Sequence, residues 1–452
     1  MSYTLINPST EESMETIEHL DVGQTDEAIN NAVKAQEKWA ALAPSDRARL
    51  LRRFALAVDA DNENLAQLEV RNSGHPIDQA RYEAKNVRDV LHYYAGAPER
   101  LMGKQIPVAG GIAVTFHEPI GVVGMITPWN YPMPIAGWGM APALAAGNAV
   151  VLKPAEWTPL TSIRLAELAL EAGLPENLFQ VLNGKGTVVG DRLVTNEKVG
   201  KIVFTGSTAV GKHIMRGAAD QIKRVTLELG GKSANIIFED ADIEKAARSA
   251  PYAVFENAGQ DCCARSRILV QKSVFEKFME ALEPVVKAVK VGDPSLSGTE
   301  VGPLVSKQHR ENVSSFLEGA DVAFRGSAPT GKGFWFAPTV VLAKSPTDKC
   351  MAEEIFGPVV TVYPFETEQE AIELANGTEY GLSGSIWTRD LGRGIRVSRE
   401  VQSGNLSVNS HSSLRYHTPF GGMKQSGMGR ELGPDAPLHF TEEKVVFFNQ
   451  DN

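Results

Sequence analysis

The chain has 452 residues, with 43% hydrophobic and 22% charged residues and a net charge of −10. That length implies two or three domains. The acidic balance excludes nucleic acid as a main partner, because phosphate binding needs a basic surface. Three cysteines, two of them adjacent, form neither a disulfide framework nor a zinc-ligand spacing, and point to a reducing, cytoplasmic setting. The N-terminus, MSYTLINPSTEESMET, lacks the basic-then-apolar pattern of a secretory signal. No apolar run reaches the ~18 residues of a membrane-spanning helix. The stretch 136–152 is apolar, but Gly137, Gly139, Pro142, Gly147 and Asn148 break it into a buried helix, a turn and a strand.

Residues 1–100 read as mainly helical. Thr25 is a candidate cap for a helix running to about Leu42, with Ala28, Ile29, Ala32, Val33 and Trp39 at helical spacing. Pro44-Ser45-Asp46 opens a second helix, and 79–101 forms a third. From Gly103 the composition shifts to Val, Ile and Gly, which predicts an exposed β-hairpin over 105–115. Strands then alternate with helices: strands at 120–126, 148–153, 178–182, 201–206 and 224–230, with helices near 135–146, 160–172, 186–195 and 208–219. Such alternation predicts a parallel, doubly wound α/β sheet. A second series begins near Ala234, with strands at 233–238, 267–271, 358–365 and 384–388 and helices at 242–257, 274–290 and 368–375. KVVFFN (444–449) is a lone apolar strand, and a partner in another subunit is expected for it.

Several stretches carry residues suited to chemistry. FENAGQDCCARSR (255–267) places Cys262 and Cys263 in a Gly-Gln loop; a thiolate there is a nucleophile, while two small buried residues are the plainer alternative. NGKGTVVG (183–190) and FTGSTAVG (204–211) each follow a strand and open a helix, where backbone can approach a phosphate. Neither is a clean GxGxxG, and tight turns explain each equally well. Lys153 and Glu156 in KPAEWTPL sit at a strand's carboxyl end, placed to meet a ribose or to form a solvated pair. Glu228, among apolar residues before Gly230-Gly231, is a candidate general base or a glutamate held by backbone amides. Asn130 in TPWNYP is a candidate oxyanion donor or a turn residue.

Taken together, these segments resemble the NAD(P)-dependent aldehyde dehydrogenase superfamily. LELGGKSA with Glu228, and FENAGQDCCARS with Cys262 34 residues later (262 − 228), are similar to its paired active-site signatures. PWNYP, KPAEWTPL, FTGSTAVG, EEIFGPV (353–359) and PFGGMKQSGMGRE (419–431) resemble further family segments in family order, across nearly the whole chain. The resemblance implies Cys262 as nucleophile, Glu228 as general base, and Asn130 with the Cys262 N–H as oxyanion hole. It implies cofactor contacts from Ile126, Thr127, Pro128, Trp129, Lys153, Glu156, Gly186, Phe204, Thr205, Gly206, Ser207, Val210, Gly211, Leu229, Gly230, Glu354 and Phe356. Tyr131, Trp138, Asp261 and Cys263 fall in the substrate tunnel, and no metal is implied.

The implied fold is a Rossmann-like cofactor domain (1–100 and 120–230), an α/β catalytic domain (231–430) and an oligomerisation hairpin at 101–119, joined by the C-terminal strand near 440–450. The implied reaction oxidises an aldehyde to an acid with NAD, NADP being the alternative, through a thiohemiacetal and a thioester hydrolysed by water. Glu156 favours NAD because a 2′-phosphate would meet its charge. A CoA-acylating semialdehyde dehydrogenase, a cofactor-independent thiol esterase and a retained fold without catalysis are the alternatives. The partners implied are a small aldehyde and further copies of the chain, as a homodimer or homotetramer, without nucleic acid or membrane.

The chain also departs from the family. It begins close to INPST, without the longer arm of many relatives. Pro134, Gly137 and Gly139 replace larger residues, predicting a wider or kinked tunnel. Glu83 and Asp89 lie among Lys85 and Arg88, which weighs against a cationic substrate. Arg415, in NSHSSLRYHTPFGG with His411, Tyr416 and His417, reads equally as a contact for a substrate carboxylate or a surface charge. Asp261 is expected to raise the thiol pKa of its neighbour.

Overall fold

The computed structural model describes residues 2–412 and 414–450; Ser413, inside the NSHSSLRYHTPFGG fragment, lies outside them. The chain opens with a β-hairpin, Ser2–Ile6 against Ser13–Glu18, which the helical reading of this region missed. Four helices follow, Val22–Ala40, Pro44–Ala60, Asn62–Ser73 and Ile77–Ala95. The first is capped by Asp21, whose carboxylate accepts the Gln24 N–H at 2.8 Å while the Gln24 side chain reaches back to the Asp21 N–H. Thr25, expected as the cap, is instead fully buried and donates to the Asp21 carbonyl. A capping box outcompetes a lone threonine because it satisfies two end groups at once.

Two α/β sheets carry the body. The six-stranded sheet orders its strands Gly427–Met428, Arg224–Glu228, Val199–Thr205, Val122–Ile126, Ala149–Lys153 and Phe179–Val181. The last five are parallel, and the first is a short antiparallel edge strand from near the C-terminus. Val150, Val151 and Leu152 are all fully buried, as expected of a strand covered on both faces. The seven-stranded sheet runs Asp321–Arg325, Thr339–Leu342, Val359–Phe365, Arg267–Gln271, Ala234–Ile237, Ser383–Trp387 and Asn405–Val408. All its pairings are parallel except the first. The sequence had not indicated the strands at 321–325, 339–342 and 405–408.

A third, three-stranded sheet is antiparallel: Gln105–Val108, Gly111–Pro119 and Thr441–Asn449. The C-terminal strand finds a partner in its own chain, with Val446 opposite Val114, and its other edge is unpaired among the described residues. No helix among the described residues is long and apolar enough to cross a membrane.

Candidate active site

Four predicted site residues terminate parallel strands of the six-stranded sheet: Ile126, Lys153, Thr205 and Glu228. Open α/β sheets bind ligands at this edge. After Thr205 the chain turns at Gly206 into the helix Thr208–Ala219, whose cap Ser207 accepts from the Val210 N–H. Phe204 and Gly211 are buried, and Val210 is exposed on the first turn. The Thr127 and Thr205 hydroxyls are buried without a partner among the described residues. Lys153 Nζ donates to the Pro154 carbonyl, and burial lowers its pKa. Glu156 is partly exposed beside it, with His19 Nε2 4.0 Å from its carboxylate. Gly186 starts a π turn that continues as the helix Asp191–Thr195.

Farther along the same cleft, Pro128 leads to Trp129, whose ring meets those of Trp157, His309 and Phe356 at 5.7, 5.1 and 5.3 Å. Phe356 is held at φ +56 while its carbonyl accepts a hydrogen bond from His309. Glu354 accepts the Gly231 N–H at 2.8 Å, and burial pushes its carboxyl up to about 7. It approaches so closely that a Cβ on Gly230 would lie 2.4 Å from its oxygen. Leu229 donates its N–H to the Ser426 carbonyl. A helix N-terminus, two orphaned buried hydroxyls and a carboxylate at each end make a donor set that fits a dinucleotide.

Cys262 comes from the loop after the helix Ile243–Phe255. Asn257, Ala258 and Gly259 have consecutive φ values of +50, +55 and +71. Non-glycine residues in that region store strain that the surroundings must hold. They do so through a closed set of amide bonds. Asn257 Nδ2 donates to the Asn130 carbonyl at 2.8 Å, Asn130 Nδ2 to the Gln260 carbonyl at 2.8 Å, and Val305 N–H to Gln260 Oε1 at 2.9 Å. The oxyanion candidate and the nucleophile loop are therefore one hydrogen-bonded unit. The Cys262 thiol is pushed well above its ordinary pKa, first by a hydrogen bond with Cys263, then by burial and by Asp261. Asp261 also accepts the Cys263 N–H at 2.8 Å. The direction expected for Asp261 is found, but Cys263 has the larger effect.

Glu228 is buried, with both carboxylate oxygens unpartnered among the described residues. Burial and the nearby Glu431 carboxylate push it well above the ordinary carboxylate range. Glu431 is in the same condition, at about 7.

Glu228, Cys262, Cys263, Asp261, Tyr131 and Trp138 all line one cavity of about 360 Å³. A larger cavity, about 690 Å³ beneath the three-stranded sheet, contains none of them. Pro134, Ile135 and Trp138 present the helix Pro132–Ala145 to the smaller cavity. Gly137 and Gly139 do not widen it. Side chains there would press on Val87 and on Met125, so these glycines let the helix pack closely against its neighbours. Asp89 is paired with Arg88 and does not line the cavity, and Glu83 is bound by His75. Besides Glu228 and Glu431, the wall carries Glu256 and Asp261. Glu256 opens into the cavity mouth and is pushed up to about 7, and burial raises Asp261. Arg415 is at the mouth but folds back on Ser412 and the Leu414 carbonyl. His411 lines the cavity; Tyr416 meets Tyr93 edge-on, and His417 meets Tyr416 edge-on, outside that lining.

Sequence reasoning missed Glu256, Glu431 and His75. Glu431 closes the PFGGMKQSGMGRE segment and Glu256 opens the ENAGQ turn, but only the fold shows that they face Glu228 and the tunnel.

The model of the aldehyde dehydrogenase family matches residues 1–446. The chain is 40% identical over 455 residues to an aldehyde dehydrogenase of Aspergillus niger, covering 99% of this chain and 92% of the relative. It is 39% identical over 459 residues to the betaine aldehyde dehydrogenase of Bacillus subtilis, covering 99% and 94%. Among solved structures it resembles betaine aldehyde dehydrogenase (betB) from Staphylococcus aureus in complex with NAD+, at 38% identity and a TM-score of 0.97, covering 100% of this chain and 92% of that one. PnpE from Pseudomonas sp. WBC-3 is 39% identical with a TM-score of 0.97, covering 100% and 95%.

Proposed function

The chain belongs to the aldehyde dehydrogenase family, and from that premise we propose that it oxidises an aldehyde to its carboxylic acid with NAD+, using Cys262 as nucleophile, Asn130 as oxyanion donor and Glu228 as general base. The observation that carries the assignment of roles is the hydrogen-bonded unit of Asn130 and the Cys262 loop, opening on the cavity that also holds Glu228.

NAD+ supplies the hydride acceptor when bound. Lys153 and Glu156 would hold its adenosine end, Gly186 and the turn from Phe204 through Gly211 its phosphates, and Glu354 with Phe356 its nicotinamide end. Ile126, Thr127, Pro128, Trp129, Leu229 and Gly230 would wall the cleft. Cys262 sulfur adds to the aldehyde carbon while the thiol proton leaves toward the neighbouring carboxylates. The new oxyanion is met by Asn130 Nδ2 and the Cys262 N–H; one such donor is worth roughly 3 kcal/mol. Once the adduct has given up its carbon-bound hydride to the bound acceptor and the oxyanion has re-formed a carbonyl, the acyl group stays on sulfur as a thioester, and Glu228, once ionised, takes a proton from the water that releases the acid. A free carboxylate in the cavity favours water over coenzyme A as acceptor. Product analysis tests this: free acid is expected, and acyl-CoA formed only with added coenzyme A would refute it.

A reading of substrate class is favoured by the wall. Glu256, Asp261 and the aromatic rings of Tyr82, Tyr131 and Tyr252 support neutral or cationic aldehydes over anionic semialdehydes. Kinetics across aldehydes of each charge decide it, since a preference for anionic ones would place Arg415 in contact with the substrate.

The three separate sheets support a partition into a cofactor unit (1–100 with 120–230), a catalytic unit (231–430) and assembly strands (101–119 with 440–450). Exposed Phe116, Val445, Phe447 and Phe448 support assembly through the last of these, as a homodimer or homotetramer. The free, unpaired cysteines support a cytoplasmic setting.

A further inference from the structure

At the tunnel wall, with Glu83 in the lining, lies a charged cluster with no part in the steps above. Glu69, His75 and Glu83 are 1%, 1% and 3% exposed, and they come from the helix Asn62–Ser73, the following turn and the helix Ile77–Ala95. Such groups almost never go inside unless paired. His75 Nδ1 lies 2.9 and 3.1 Å from the two Glu83 oxygens, and the Asn130 backbone lies where it stabilises the charged ring. The imidazole also meets the Tyr131 ring edge-on at 5.4 Å.

We propose that His75, clamped by Glu83, is a positioning residue for the oxidation: it fixes the Asn130–Tyr131 peptide from which the oxyanion donor and a tunnel-wall residue reach the cavity. The proposal rests on the reading of Asn130 as the oxyanion donor.

The hydrogen-bond inventory sets the protonation. A histidine clamped by a carboxylate, with its charged form favoured by the Asn130 backbone, carries both protons. Ser73 Oγ has one proton, yet lies 2.7 Å from the Glu69 carbonyl and 2.6 Å from Glu69 Oε1, both acceptors if Glu69 is ionised. The conflict disappears if Glu69 is the protonated acid, donating to Ser73 while accepting from Thr161 at 3.0 Å. The cluster is then neutral: one imidazolium, one carboxylate, one carboxylic acid. Its ligand-type atoms lie within 4.8 Å of one another, as a metal site would need, but each already has a partner.

Burial alone would lower the His75 pKa. Glu83, by charge and by hydrogen bond, outweighs that, and Glu69 adds to it once ionised, which lifts the His75 pKa to about 9. Glu69 is raised to about 7, chiefly by burial. Across the wall, Glu256 also feels the charge of His75. Above pH ~9 the ring is neutral and its remaining proton stays toward Glu83. The attraction between the charged ring and the Asn130 backbone is lost, and the oxyanion donor loosens.

The test is the pH profile of kcat for NAD+-dependent oxidation of propanal, alongside cofactor-free acylation by p-nitrophenyl acetate. It compares wild type, H75Q, E83Q, N130A and H75Q/N130A, each checked for folding by circular dichroism. H75Q is expected to lower kcat about tenfold in both reactions, with KM for NAD+ within twofold, and to remove the alkaline limb. E83Q, nearly isosteric, is expected to move that limb down by at least one pH unit; if H75Q does not fold, this shift decides. H75Q/N130A is expected to be no worse than N130A. Limbs at the wild-type position in E83Q, or additive losses in the double variant, overturn the proposal. An unimpaired N130A instead overturns the oxyanion reading beneath it.

Discussion

Asn130 Nδ2 donates to the Gln260 carbonyl across 2.8 Å, so the amide proposed to receive the oxyanion is tied to the loop that carries Cys262. The proposed nucleophile and the proposed oxyanion donor share one scaffold, closed by Asn257 from the other side. Displacing either displaces both, and oxyanion donors act only when correctly aimed.

Cys262 is kept as a thiol by its neighbours. Removing the Asp261 charge in D261N lowers the thiol pKa, and C263A removes the Cys263 hydrogen bond with the same sign. Each variant is expected to be alkylated by iodoacetamide several-fold faster than wild type at pH 7, with C263A the larger effect. C262A should abolish NAD+ reduction while leaving the other two thiols reactive on unfolding.

Glu228 acts late. E228Q is expected to retain the first-turnover burst of NADH and to lose 10²–10⁴-fold in steady-state rate, with a thioester accumulating on Cys262 visible by mass spectrometry. Because the Glu228 carboxyl is raised, deacylation climbs with pH through a value well above the ordinary carboxylate range. E431Q removes a negative neighbour, so Glu228 ionises more readily and this limb moves to lower pH.

Glu156 stands partly exposed beside Lys153, with no guanidinium paired to it among the described residues. A 2′-phosphate would meet a carboxylate there. NAD+ is expected to exceed NADP+ in kcat/KM, and E156Q should narrow the ratio by about tenfold, mainly through KM for NADP+.

Gly230 has no room for a methyl group beside the Glu354 oxygen. G230A pushes that carboxylate aside, at an overpacking cost of about 1–3 kcal/mol. Hydride transfer is expected to slow more than cofactor binding weakens, which single-turnover and fluorescence titrations separate.

The first α/β series was legible because five parallel strands buried on both faces read as short apolar runs between helical stripes. Strands 321–325, 339–342 and 405–408 were not. Asp321–Arg325 alternates exposed and half-buried residues on an edge, and the other two are only four residues long. Cys262, Glu228 and Asn130 stood out through their Gly-rich or Pro-rich surroundings. His75 did not, because a histidine before proline looks like a turn residue until the fold buries it against Glu83. The glycines of the helix after Asn130 misled for a related reason: sequence places a residue on a helix, but only packing tells which face it serves.

The edge strand Gly427–Met428 has a consequence for how the protein is made. It pairs with Leu227 and Glu228, and the C-terminal strand closes the sheet begun at 111–119. Both are synthesised after every other strand of their sheets. Until then the strand bearing Glu228 has an open edge, and the hairpin lacks its third member. Most of the six-stranded sheet can assemble during translation, but the proposed catalytic centre cannot close until 427–428 has emerged. A stalled or truncated chain ending before 427 would hold a nearly complete sheet with a sticky border, which marks it for aggregation or degradation before it can accumulate as an uncontrolled reactive thiol.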